Sequence, residues 1–257
     1  MHETDIHLDH ERREIDKGAA DKFAQHQRYS VQRMLTQNFA LIEAHLPSNA
    51  SVLDVGSGVG DFLDYLCTRS DKRICAGIDL SGESVKLCSA RLAEFKNRCT
   101  VVEGNAESLI SLLSPWGLVP FGSVVMRGVV HHLASPEIVF KEIFNVLEPA
   151  GSLIILEGNV SSLYRRMVLG LADLMRIEHE ASQFPHTPHT VIQEYLHQVG
   201  FSEISVSYVP GTFVPLAYLG MGTENVWNAL DSLNAILGRV ATRFFGWWYL
   251  MVARKSG

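Results

Sequence analysis

Apolar residues recur at mostly three- and four-residue steps from Asp21 to Leu46. Phe23, Val31, Met34, Leu35, Phe39, Ile42 and Leu46 would line one face of a helix there. Residues 1–20 read as a polar arm before it, and Pro47-Ser48-Asn49 stops the pattern. The apolar run Ser51–Val55 then has strand length and ends in glycines. The spacing predicts a helix over Asp61–Thr68, a strand over Arg73–Ile78 and a helix over Ser81–Lys96 with Ser81 as its N-cap. Strands follow at Thr100–Glu103 and Phe121–Met126, then a helix from Pro136 to Leu147. A turn is expected at Pro149-Ala150-Gly151 and a strand over Ser152–Leu156. Thr190–Val199 reads as a helix ended by Gly200, and Ile204–Val209 and Trp247–Ala253 as the last strands.

Alternating strands and helices predict an α/β fold, a parallel sheet with helices on both faces. Two stretches interrupt the alternation. Residues 158–188 carry an apolar helix over Leu163–Ile177, and residues 210–245 carry a helix near Glu224–Val240. Residues 1–46 are expected to form an N-terminal arm with lid helices, and 47–257 the α/β domain. Both inserts are rich in Leu, Met, Phe, Tyr and Val, as a cover over an apolar chamber would be.

Composition narrows the classes. With 257 residues, 47% hydrophobic and 19% charged, the chain can bury a sizeable core and is not a disordered one. Lys and Arg number 22 against 28 Asp and Glu, a net charge of -6, which demotes an electrostatic nucleic-acid binder. A mean hydropathy of +0.09 leaves room for an apolar pocket or a peripheral membrane contact. Cys67, Cys75, Cys88 and Cys99 form no C-x-x-C pair and stand apart from histidines at ligand spacing. They read as buried free thiols of a reducing, cytoplasmic compartment, and no metal is expected. His2–Lys17 lacks the apolar segment of a secretory signal, and no window is long and apolar enough to span a bilayer.

The strongest motif is Asp54-Val55-Gly56-Ser57-Gly58-Val59-Gly60-Asp61, a glycine turn between a strand and a helix. Ligands of doubly wound sheets bind at that edge. The dinucleotide frame G-x-G-x-x-G would place its third glycine at 61, where Asp61 stands. An acid at the first helical position would oppose a diphosphate, whereas Asp54 suits a cationic amine. Asp79 ends the second strand, where a carboxylate either receives ribose hydroxyls or caps the next helix.

Four blocks in this order resemble class I S-adenosylmethionine-dependent methyltransferases, of the broad group similar to quinone-biosynthesis methyltransferases. They are Asp54–Gly60, Gly77-Ile78-Asp79-Leu80-Ser81, Glu103-Gly104-Asn105-Ala106-Glu107, and Phe121–Glu157 with Val130-His131-His132-Leu133 inside it. The resemblance covers about residues 30–157, and more weakly 188–209. It implies a Rossmann-like sheet of seven strands, order 3-2-1-4-5-7-6, with strand 7 antiparallel. It also implies S-adenosylmethionine as cofactor. Asp54 and the backbone of Gly56, Ser57, Gly58 and Gly60 would hold the methionine part, and Asp79 the ribose hydroxyls. Leu80 would lie against adenine, and the Asn105-Ala106-Glu107 turn would read the adenine edge. Arg127 and Gly128 would pass close to the methionine end, and Tyr29 would bring an aromatic there. The chain departs from the family pattern at Asn105 and Gly122, where Asp is usual.

No signature identifies a base. His132, His131 and Glu157 follow the fourth and fifth strands at the mouth of the site, and His186 and His189 lie in the insert before the sixth. The expected activity is methyl transfer to a small, hydrophobic metabolite, at oxygen or carbon. Its rivals are a methyltransferase-like cofactor binder that does not methylate, as a regulator or a cyclase, and an NAD-dependent oxidoreductase. The sequence leaves the oligomeric state open.

Overall fold

In a computed structural model, β1 (Val52–Val55), β2 (Cys75–Asp79), β3 (Cys99–Glu103), β4 (Phe121–Arg127), β5 (Leu147–Gly158), β6 (Phe201–Val209) and β7 (Trp248–Lys255) form one sheet. The order is β3-β2-β1-β4-β5-β7-β6, and β7 runs antiparallel to both β5 and β6. Fold, order and the direction of β7 are those implied by the resemblance. The structure describes residues 3–176, 187–211, 214, 224–237 and 243–256.

The helices are α1 (Glu3–His26), α2 (Tyr29–Glu43), α3 (Asp61–Arg69), α4 (Gly82–Arg91), α5 (Leu109–Leu113), α6 (Pro136–Val146), α7 (Leu163–Leu174), α8 (His189–Val199) and α9 (Glu224–Leu237). Two apolar layers sandwich the sheet. On one face Phe39 and Ile42 of α2 and Phe62, Leu63 and Leu66 of α3 pack on Val52, Val125 and Ile154. On the other, Leu109 and Leu113 of α5, Phe140 and Ile143 of α6 and Ile192 and Leu196 of α8 pack on Leu53, Val124 and Ile155. Each such side chain, fully buried, contributes ~1.5–3 kcal/mol. With apolar layers on both faces, all of β1 is buried, so it reads as a run rather than an alternation.

Local signals start and stop the helices as expected. The Ser81 hydroxyl accepts from the Ser84 amide at 3.0 Å, and Gly200 ends α8 at φ 111°. Three differences have physical causes. Pro149-Ala150-Gly151 does not separate two elements: it is a register shift inside β5, with Ala150 at φ 61°. α5 has five residues, too few for a helical period to show. The expected 21–46 helix breaks at Gln27–Arg28, and the polar arm is itself helical as part of α1.

That arm reads as an appendage because charge, rather than an apolar stripe, docks it. Asp16 accepts from the Ser81 hydroxyl and from the Glu83 amide at 3.3 Å, Arg12 pairs with Glu103, and the Arg91 guanidinium lies 4.9 Å over the Phe23 ring. His26 meets Asp61 at 2.5 Å, and Arg91 holds the other oxygen of the same carboxylate. Burial pushes Asp61 upward, but the hydrogen bonds and charges of His26 and Arg91 outweigh it and hold the group at about 2. A depressed carboxyl contributes stability above its unfolded value near ~3.9, and that contribution is lost as pH falls through about 2. Asp61→Ala is therefore expected to cost ~2–4 kcal/mol at neutral pH and to open α1 to proteolysis. Denaturant melts with trypsin digestion check this, and the difference from wild type should shrink below pH ~4.

Candidate functional site

β1, β2, β4 and β5 end side by side, and their carboxyl ends carry the site. The Gly56 and Ser57 amides both donate to the Ile78 carbonyl, at 2.8 and 3.0 Å, which folds the glycine turn back over β2. Gly60 stands at φ 85°, and a Cβ there would meet the Cys88 sulfur at 2.6 Å. Gly58, at φ 53°, differs: a Cβ would find nothing within 4 Å. One glycine lets the turn pack; the other lies open to whatever approaches.

Asp54 is fully buried. Its Oδ2 faces the Arg127 guanidinium at 3.4 Å, and its Oδ1 has no hydrogen-bond partner. Burial drives the carboxyl up to about 6, against the charge and hydrogen bond of Arg127. Arg127 is walled by the rings of Phe39 and Phe62, 4.9 and 5.1 Å from their centres. A buried carboxylate oxygen short of a donor, beneath an open glycine, fits the ammonium of the methionine part of S-adenosylmethionine.

Asp79 does the capping that the sequence held as an alternative: it accepts from the Gly58 amide at 2.7 Å and the Ser81 amide at 2.9 Å. Each carboxylate oxygen keeps acceptor capacity for a ribose hydroxyl. Burial raises its pKa, and the two amides, Lys22 and His132 lower it. Lys22 belongs to α1, so the arm crosses the end of β2. Leu80 is half-buried beside it. The Asn105 oxygen accepts from the Glu107 amide at 3.0 Å and starts the turn that carries Ala106, so one of its two acceptor positions remains for an adenine amine. Gly128 is exposed at φ 60°.

The histidine pair separates into two environments. The His131 side chain is buried, and its Nδ1 meets Glu157 Oε1 at 2.9 Å. Glu157 also accepts from the Val130 and Gly158 amides, both at 3.0 Å. It therefore braces the Val130–His132 turn. His132 is half-buried, with its ring 4.1 Å from that of His131.

Other expected residues lie apart. Tyr29 is 58% exposed and its hydroxyl accepts from Arg33, while Phe39 and Phe62 stand beside Arg127. His189 is the first residue of α8 and not a loop histidine: it is buried against Tyr208 and Tyr249, and burial, then Arg243, lowers its pKa. His186 lies outside the described residues. Among the described residues no three His, Cys, Asp or Glu side chains converge as metal ligands. Asp61, at the first position of α3, is held by two cations. Its carboxylate is spent on His26 and Arg91, so it does not confront a ligand. Sequence spacing carried no sign of the Phe39–Arg127–Phe62 stack or of Asp16 and Lys22 at the site, because these contacts join distant segments.

Two outcomes are expected. Gly58→Ala should fold and lose S-adenosylhomocysteine binding by calorimetry, whereas Gly60→Ala should lower the melting temperature through its clash with Cys88. Affinity for S-adenosylhomocysteine should strengthen as pH rises through about 6, where Asp54 ionises, and Asp54→Asn should flatten that profile. Stability runs the other way: a raised carboxyl contributes most below its unfolded value near ~3.9 and loses that contribution through about 6.

A family model described as "Methyltransferase domain" matches residues 23–206. The chain is 27% identical over 124 residues to the ubiquinone/menaquinone biosynthesis C-methyltransferase UbiE of Geotalea daltonii, covering 47% of this chain and 51% of that protein. It is 31% identical over 116 residues to 24-methylenesterol C-methyltransferase 2 of Oryza sativa subsp. japonica, covering 44% and 30%. The chain thus spans about half the length, or less, of these curated relatives. The crystal structure of a SAM-dependent methyltransferase from Archaeoglobus fulgidus superposes with a TM-score of 0.61 at 16% identity, covering 91% of this chain and 98% of that one, which is a likeness of fold. With a family match across most of its length and the sheet order in agreement, the chain belongs to the class I S-adenosylmethionine-dependent methyltransferases.

Proposed function

We propose that the chain transfers a methyl group from S-adenosylmethionine to a carbon or oxygen of a small, hydrophobic metabolite. The observation that carries the reading is Asp54, buried with one oxygen lacking a donor beneath an open glycine turn. Two of the curated relatives are named C-methyltransferases, which favours carbon as the acceptor. The two inserts, with the N-terminal helices, would close over the reaction and keep water from it.

When bound, S-adenosylmethionine supplies a methyl group on a sulfonium sulfur, open to in-line displacement. Asp54 and the glycine turn would bind the methionine part, Asp79 the ribose, and Leu80 with the Asn105-Ala106-Glu107 turn the adenine. Arg127 and Gly128 would flank the methionine end. For a hydroxyl acceptor, or a phenolic ring carbon made nucleophilic by loss of its hydroxyl proton, His132 is the base. Glu157 and His131 would position the turn that carries it.

The test is release of S-adenosylhomocysteine with candidate lipophilic acceptors, and product NMR to identify the methylated atom. His132→Ala should lower turnover by ~10²–10⁴ and leave cofactor affinity nearly unchanged. A loss below ~10-fold would remove the base assignment. Failure to release S-adenosylhomocysteine with any acceptor, despite tight binding of it, would favour a cofactor binder that does not methylate.

A further inference from the structure

We infer that the outer face of α7, with Phe244 and Phe245, seats the protein on a bilayer bearing anionic headgroups. Leu163, Met167, Leu171 and Leu174 recur along one side of α7 and are all exposed, Leu174 by 80% and Met167 by 66%. The adjoining side holds Tyr164 and Val168, which pack on the cluster around Trp227 and Trp247. α7 therefore already has a buried face, and the apolar stripe is a second one.

Phe244 and Phe245 extend that stripe, 53% and 63% exposed. Their exposure is built. The Leu163 amide donates to the Phe244 carbonyl at 2.8 Å, which joins the loop to the first turn of α7. The buried Asn159 side chain donates to the carbonyls of Arg243 and Gly246, at 2.8 and 3.0 Å, pinning the loop on either side of the two rings. On α9, Leu233 and Ile236 are exposed as well, opposite the buried Trp227.

Charge selects the occupant. Arg166, Arg176 and Arg243 are exposed around the stripe, with Asp173 the acid of α7, on a chain whose net charge is -6. A second copy fits poorly. Antiparallel pairing of two α7 helices about Gly170 would bring Arg176 of each toward the exposed Arg166 of the other, and parallel pairing would set like arginines against each other. An apolar stripe with a cationic flank suits an anionic interface, the rings and aliphatic side chains entering and the guanidiniums meeting phosphates. At 12 residues α7 is about 18 Å long and lies along the surface, and among the described residues no helix is long and apolar enough to cross a membrane. Glu157 lies a few residues before α7, so lipids would reach the carboxyl edge of the sheet. In that respect the inference rests on the proposed hydrophobic substrate.

Flotation of the 257-residue chain with phosphatidylcholine vesicles, with and without phosphatidylglycerol, tests it. Wild type should float with the anionic vesicles and only weakly with the neutral ones. Arg166→Gln with Arg243→Gln should weaken anionic binding about 25-fold, at about five-fold per arginine. Leu171→Gln with Phe244→Ser and Phe245→Ser should abolish flotation while S-adenosylhomocysteine binding by calorimetry is unchanged, showing that the variant is folded. No flotation of wild type, or equal flotation of the triple variant, overturns the inference. So does a dimer in sedimentation velocity that Leu171→Gln dissolves and that does not float, which would assign the face to a second copy. Calorimetry of wild type reads cofactor binding separately, so its failure would strike the methyl-transfer reading and leave the vesicle result standing.

Discussion

Ionising Asp54 places a charge where water does not reach, with one guanidinium 3.4 Å away as compensation. The guanidinium in turn needs walls, and Phe39 of α2 and Phe62 of α3 supply them. The positions of both helices over β1 and β4 are thus tied to one carboxylate. The arrangement is under-compensated as it stands, since burial still lifts the acid to about 6. A cationic ligand relieves a deficit that the fold itself leaves. The candidate site and the one charge of the central strand are the same feature.

The N-terminal helices, α7 and α9 are held in two different ways. α1 is fixed by Asp16, Arg12 and His26, polar groups that water competes for, and it crosses the end of β2 where Asp79 stands. α2, α7 and α9 share an apolar cluster around Trp227 and Trp247, reinforced by Arg33 and Gln37 on Asp231. Polar docking is weaker and more easily exchanged than apolar packing.

The centre of the sheet was legible because its strands sit between two apolar layers and glycines or prolines punctuate the chain between them. Glycine spacing located the turn, and Asp54 and Asp79 could be named from their places at strand ends. What escaped was whatever depends on partners far along the chain. The arm looked like an appendage because α1 has few apolar positions to show. Asp61 looked like a barrier to anions because the two cations that neutralise it come from α1 and α4. Glu157 looked like a free acid because nothing in its neighbourhood of sequence announces that it receives the Val130 amide and His131. The Phe39–Arg127–Phe62 stack escaped because a helix of mixed pattern does not reveal which turn meets Arg127.

The cluster around Trp247 also bears on how the chain is made. Val31 and Met34, near one end of the sequence, bury themselves against Trp227 and Trp247, near the other. A nascent chain leaving the ribosome carries α2 with its partners still unsynthesised, and Trp247 arrives only just ahead of the strand that slots between β5 and β6. α2 therefore waits for translation to reach the last strand, with Val31 and Met34 exposed in the interval. Chaperone dependence during synthesis, rather than equilibrium stability, is where that long-range packing would be felt first.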